Sequence, residues 1–247
     1  MLSVGDLKML RQARNVGSNV SAAQLMRQLG APTDEAIVEF AVEQMSHSDR
    51  NVRVLALRVL KHYRGDRALQ GLLAGLRDEK RRVCAAAIQA CPNYLEREAV
   101  AERLEEIVRD TAVKRKLRRR ALSMLAGNEG RLHGDLTRAA AAALRRLMAE
   151  REYRFAILFG LASLEAAPRT KSLLQAFSAS TEETERRMAQ RALRGERVIH
   201  IDRCAADQEM HQRIMRTCDI AHGRMYYWLP RADNVFWPET CQLAHSK

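Results

Sequence analysis

The sequence has few aromatic residues, 5% of 247 positions, and only five prolines. So few rings exclude a core of stacked aromatics and leave Ala, Leu, Val, Ile and Met to fill it, a composition that favours close-packed helices over a sheet. The five cysteines are odd in number and scattered. A disulfide framework is therefore not expected, and free thiols in a reducing compartment, the cytoplasm, are. Asp6 and Lys8 interrupt the N-terminus before any apolar run develops, which argues against a signal peptide. The longest strongly apolar stretch, Phe155 to Leu164, is too short to span a bilayer. No G-x-S-x-G, Walker loop, H-E-x-x-H or Rossmann fingerprint occurs. With no catalytic constellation, the expectation leans to a binding protein without cofactor or metal.

Hydrophobic residues, at 47%, are enough for a continuous core. Lys and Arg number 42 against 30 Asp and Glu, a formal charge of +12. Such a surface attracts anions: an acidic protein, nucleic acid or anionic lipid.

Proline and glycine divide the chain into helical segments. Gly30, Pro32, Gly65, Pro92, Gly127 to Gly130, Pro168 and Gly195 fall between stretches with helical periodicity. Those stretches resemble one another. From Val52, positions +3, +4, +7 and +8 give Leu55, Ala56, Val59 and Leu60; from Val83 they give Ala86, Ala87, Ala90 and Cys91. The same spacing from Leu117, Tyr153 and Glu185 again traces one face of a helix. The anchors lie 31, 34, 36 and 32 residues apart, a period that indicates a solenoid. Upstream of each anchor is a further amphipathic segment: Asp34 to Met45, Asp66 to Arg77, Arg97 to Val108, Leu136 to Ala149 and Lys171 to Phe177. Each repeat is thus a helix pair. An earlier pair, Val4 to Arg14 and Asn19 to Leu29, matches poorly and reads as a divergent cap.

The stretch Asp49-Arg50-Asn51-Val52-Arg53-Val54-Leu55-Ala56-Leu57-Arg58-Val59-Leu60 resembles the second helix of a HEAT repeat. The Arg after the anchor recurs as Arg118, Arg154 and Arg186 and is replaced by Cys84 in the second repeat; the preceding Asp recurs as Asp78 and, less closely, Asp110. The resemblance spans roughly 34 to 195. It implies an all-α, right-handed α-solenoid of about five two-helix repeats. It also implies a polar ladder of that Arg and Asp between repeats, and second helices lining the concave wall. The expected organisation is a cap over 1–33, a repeat array over 34–195, and a capping helix with an aromatic tail over 196–247. Some alkylpurine DNA glycosylases are also HEAT-like solenoids, but they use wall aromatics, and this chain has no Trp inside its repeats. Metal-dependent HEAT-like hydroxylases carry His-Glu pairs, which are absent here.

Cations cluster where helices begin. Arg81 and Arg82 precede the second anchor; Lys114, Arg115 and Lys116 precede the third, with Arg119 and Arg120 just after it. Cations at a helix start oppose the helix dipole by roughly 0.3–1 kcal/mol each at low salt, so the cluster is either an anion-binding edge or a basic solvated surface. On the wall, positions near +2, +6 and +9 select Arg58, Lys61, Gln89, Arg119, Phe155, Phe159, Arg187, Arg191 and Arg194. Phe155 and Phe159 also suit the core. The favoured reading is an adaptor for an acidic or extended protein, with nucleic acid as the alternative.

Beyond Glu196 the repeat stops. Val198 to Ile201 reads as a turn or extended piece, and Ala205 to Ala221 as a capping helix. Tyr226, Tyr227, Trp228, Phe236 and Trp237 then form a proline-flanked tail that either seals the array or docks into a partner. His200, Cys204, His211, Cys218, His222 and Cys241 share this segment, but their intervals do not match a zinc finger.

Overall fold

The computed structural model describes residues 34–127, 135–164, 167–199, 218–221 and 224–230, with side chains as far as Glu196. The divergent cap expected over 1–33 lies outside the described residues.

The expected helices form, in chain order α1 (Asp34–Glu43), α2 (Arg50–Leu60), α3 (Asp66–Leu76), α4 (Arg81–Ala90), α5 (Glu98–Arg109), α6 (Arg115–Leu125), α7 (Arg138–Leu147), α8 (Arg151–Ser163), α9 (Pro168–Ser178) and α10 (Glu183–Leu193). Packed as pairs are α1 with α2, α3 with α4, α5 with α6 and α9 with α10. All five anchors are buried. So are the residues at +4, namely Ala56, Ala87, Ala121, Ile157 and Ala189, where the helical period returns to the packed face. Asp49 caps α2 by accepting the Asn51 N–H at 2.8 Å. Gly127 and Gly195, with φ of 76° and 94°, end α6 and α10 in the left-handed conformation that glycine adopts without strain.

The helices divide between two units: residues up to Leu125 with Thr137–Leu144, and Ala126–Leu136 with those from Arg145 onward. In the first unit α1, α3 and α5 pack in sequence as one layer, and α2, α4 and α6 as a second. The layers meet closely at α3. A Cβ added at Gly75 would lie 2.7 Å from Leu57 Cδ2 and 3.1 Å from the Ala87 Cβ; one at Gly71 would lie 2.6 Å from Leu60 Cδ1. At these two glycines, one turn apart, a larger residue would force Leu57 and Leu60 to shift. In the second unit α8, α9 and α10 pack against one another.

The polar ladder implied by the resemblance is present in part: among the described residues two rungs join repeats, Arg53 with Asp78 and Arg154 with Glu185. Arg53 donates to Asp78 at 2.6 Å and to the His47 carbonyl at 2.7 Å. Arg154 donates to Glu185 at 2.6 Å and to the Met148 carbonyl at 3.1 Å, with its guanidinium 5.0 Å from the centre of the Phe177 ring. Arg186 reaches the Ser180 carbonyl and Arg118 the Val108 carbonyl. Each satisfies a carbonyl at or beyond the end of its own repeat's first helix, where helical partners run out. Where the ladder has Cys84 instead, Arg103 of α5 supplies the donor, at 3.3 and 3.2 Å from the Leu76 carbonyl. Burial pushes the Cys84 thiol up to about 11.

The C-terminal segment departs from the expected capping helix. Cys218–Ala221 is a strand, β2; with β1 (Glu196–Ile199) and β3 (Arg224–Pro230) it forms a three-stranded antiparallel sheet in the order β1-β3-β2. Residues 205–217 lie outside the described residues. The physical reason is in the composition: Val198, Ile199, Ile220 and the Tyr-Tyr-Trp run suit a pleated sheet. A two-residue connection ending in Gly223 joins β2 to β3, the signature of a tight hairpin. β1 packs on α8 and α10.

Candidate polyanion-binding face

Within the first unit α4 lies between α2 and α6, and the three share one sign of charge. α2 carries Arg50, Arg53 and Arg58, and α4 carries Arg81 and Arg82. α6 carries Arg115, Lys116, Arg118, Arg119 and Arg120. None of the three contains a carboxylate. The other layer is not basic: α3 balances Asp66 with Arg67, and its two neighbours are acidic. α1 has Asp34, Glu35, Glu39 and Glu43 and no cation, and α5 has Glu98, Glu102, Glu105 and Glu106 against Arg103 and Arg109.

The two layers also differ in how their charges are met. Among the first helices and their turns, Arg67 pairs with Glu39, Arg97 with Asp66 and Arg103 with Glu106. On α2, Arg53 is held by Asp78. Arg82 donates to the Asn51 Oδ1 at 3.3 Å, joining the starts of α4 and α2. Arg81, Arg115, Lys116 and Arg119 are exposed and hold no ion pair among the described residues. Adjacent helices pack about 8–10 Å apart, close to the Debye length of about 8 Å at physiological salt. Neighbouring rows therefore reinforce one another, while more distant charge is screened. A partner must sit on this face to feel the field.

The solvent-facing stripe is not quite the one expected. On α4 it comprises Arg82, Ala85, Ala86 and Gln89, and on α6 Lys116, Arg119, Arg120 and Ser123, all exposed or half-buried. These are positions −1, +2, +3 and +6 from the anchor. Arg58 and Lys61 of the first repeat are half-buried, and Val54, at +2 on α2, is buried. The seven cations expected in this unit, Arg58, Lys61, Arg81, Arg82, Arg115, Lys116 and Arg119, thus belong to one helical layer or the turn that ends it.

The second unit is less basic on its second helices. α10 carries Glu183 and Glu185 beside its arginines. Arg191 pairs with Glu196 at 2.7 Å and Arg194 with the same carboxylate at 3.1 Å, so these two cations are compensated within the chain. Arg187 is exposed on α10, and Phe155 and Phe159 are half-buried on α8 rather than enclosed in the core. Sequence reading missed Asp135. Its carboxylate accepts the backbone N–H groups of Arg169 (2.9 Å) and Thr170 (3.0 Å), so it caps α9 from thirty-odd residues upstream. Burial opposes that charge, but those N–H groups, the Leu136 N–H and Arg169 outweigh it and hold the carboxyl below its ordinary range. No local spacing signals such a cap.

In the tail, Tyr226, Tyr227 and Trp228 lie in β3, opposite Asp219, Cys218 and Val198 respectively. Tyr227 is opposite Ile199 on its other side. Their backbone is committed to the sheet that packs on the last helices. Phe236 and Trp237 lie outside the described residues, as do His200, Cys204, His211, His222 and Cys241. Among the described residues there is no cluster of metal-ligating side chains and no helix long and apolar enough to cross a membrane.

The chain matches the family model of HEAT repeats twice, over residues 8–92 and 38–126. The first match begins within the segment expected to be a divergent cap. Among solved structures the chain is similar to the crystal structure of an engineered protein, at 19% identity and a TM-score of 0.36 over 76% of this chain and 95% of that one. No curated protein matches it. HEAT repeats generally mediate protein interaction or scaffolding. Residues 8–126 of this chain are thus built of HEAT repeats.

Proposed function

We propose that this chain is a non-enzymatic adaptor that docks an acidic protein on the second-helix layer of its first unit. The observation that carries the reading is the segregation of charge. α2, α4 and α6 hold cations and no carboxylate, whereas α1 and α5 are predominantly acidic. A general excess of arginine would not sort by layer. Exposed pairs are worth only about 0–1 kcal/mol, so fold stability gives little reason to leave Arg81, Arg115, Lys116 and Arg119 without partners. Unmet charge on one face instead speeds encounter with a complementary surface and rejects basic ones. The aromatic C-terminal segment is a second candidate contact, and the expected cap, array and C-terminal divisions serve this adaptor as its two ends and its docking surface.

The same face suits phosphate, and the assay separates the two. Binding of a fluorescent Glu-rich peptide and of duplex and single-stranded DNA is measured across a salt series, for the wild type and for Arg115→Glu/Lys116→Glu/Arg119→Glu. Peptide binding that survives physiological salt and is lost in the triple variant is the expected result. DNA binding that persists at physiological salt while the peptide fails would establish the nucleic-acid reading in its place. Loss of all binding by about 0.1 M salt would mark a generic basic surface.

A further inference from the structure

The charge on the basic face is interrupted. On its middle helix, α4, Ala85 and Ala86 are half-buried and Gln89 is exposed. Spaced by one and then three residues, these form a short stripe along the helix. On one side α6 has Arg119, exposed, with Arg120 and Ser123, half-buried, at the matching positions, and on the other α2 has Arg58, half-buried. The result is a short uncharged stretch, Ala85 to Gln89, that continues from Arg82 and lies between two helices that carry cations.

Resting on the adaptor reading, we infer that the partner segment is an α-helix laid along α4, acidic on both flanks and small or apolar where it meets Ala85, Ala86 and Gln89. Dimensions favour a helix over an extended strand. The axes of α2 and α6 stand about two helix spacings apart, on the order of 16–20 Å. A helix with its side chains measures about 10–12 Å across, so its flanking Glu or Asp side chains meet the arginines of α2 and α6. A strand alternates its side chains between opposite faces, so it would turn one set to α4 and the other away from it. Alanines on α4 permit the close approach of axes that helix packing needs. The charges of α2 and α6 fix the sign of the flanks, and no aromatic ring is present on the exposed positions of α4 or α6 to stack a base.

The test uses the full chain and two synthetic peptides of about five helical turns, both with Glu flanking an Ala/Leu stripe. One is intact and the other has proline at two central positions. Binding is read by fluorescence anisotropy at physiological salt, with duplex DNA as a third probe. The intact peptide should bind at least tenfold more tightly than the proline peptide. Gln89→Trp, an exposed substitution that leaves the charge unchanged, should weaken it tenfold or more, as should Arg119→Glu/Arg120→Glu. Circular dichroism of each variant confirms that it is folded. Equal affinity for both peptides, or no effect of Gln89→Trp, overturns the helix inference while leaving the acidic-partner reading intact. Indifference to Arg119→Glu/Arg120→Glu, or binding of DNA alone, overturns both.

Discussion

Removing Arg154 tests whether the ladder between the last two repeats is a structural device. The guanidinium donates two bonds to Glu185, at 3.0 and 2.6 Å, and lies over Phe177. Glu185 occupies an anchor position that is apolar in the other repeats and is only 4% exposed. Arg154→Met keeps most of the stem but leaves that carboxylate with Ser180 as its remaining side-chain donor. Breaking a buried pair from one side costs about 3–5 kcal/mol. The Arg154 side chain is 27% exposed, and solvent screening lowers the expected loss to about 2–3 kcal/mol. Melting should therefore fall by roughly 5–10 °C for a chain of this size. The pH dependence adds a sign. Burial pushes the Glu185 carboxyl up, but hydrogen bonds from Arg154 and Ser180 and the charge of Arg154 outweigh it and hold it low. A depressed carboxyl contributes stability above its unfolded value, and that contribution is lost as pH falls through the folded value. Without Arg154, burial moves the carboxyl up, so the variant's deficit should be greatest near neutrality and shrink toward about pH 4. Replacing both partners, Arg154→Met/Glu185→Leu, should recover most of the loss, because an apolar pair of similar volume is often as stable as a buried ion pair. Thermal melts by circular dichroism at several pH values decide the matter. A single-variant deficit that ignores pH, or a double variant as unstable as the single, would refute the argument.

Two further outcomes follow from the same structure. Asp135→Asn should cost about 1 kcal/mol by weakening the cap on α9. It should also flatten the acid limb of the stability profile, since the wild-type carboxyl is depressed and its contribution disappears as pH falls through its folded value; an unchanged acid limb in urea titrations would argue against the cap. Cys84 and Cys91 are both buried, and the Cys84 thiol is pushed up to about 11. Site-resolved mass spectrometry should therefore find both unlabelled by a thiol reagent at pH 8 in the folded protein and labelled after denaturation, and rapid labelling of Cys84 in the native state would contradict its placement.

The repeat was legible because a solenoid writes its contacts locally. Each anchor, the small residue one turn on and the apolar pair beyond recur at a fixed period, and burial follows that period from Val52 to Glu185. The ladder arginines were legible for the same reason. What escaped notice depends on contacts distant in sequence: Asp135 capping α9, and Arg103 standing in for the arginine that Cys84 displaces. The end of the expected capping helix was misplaced for a different reason: Cys218–Ala221 is a short strand, and a strand that gains its partners only by pairing leaves a weak mark in sequence.

The candidate face shows where such reading stops. Every cation on it was visible in the sequence, and the clusters at 81–82 and 114–120 stood out as poor choices for helix starts. The wall positions of the second helices already picked out Arg58, Lys61 and Arg119, but the acidic character of α1 and α5 is what gives that face its contrast. Sorting charge by first and second helix would have exposed the segregation without coordinates: α1 and α5 acidic, α2, α4 and α6 basic. Even then Ala86 would have passed for core, since it occupies the +3 position of the expected packed face. Only its partial exposure, beside the cations of α6, converts a packing residue into part of a docking surface. Charge on a repeat array therefore bears on function once it is assigned to a layer, and that assignment depends on which helices neighbour one another.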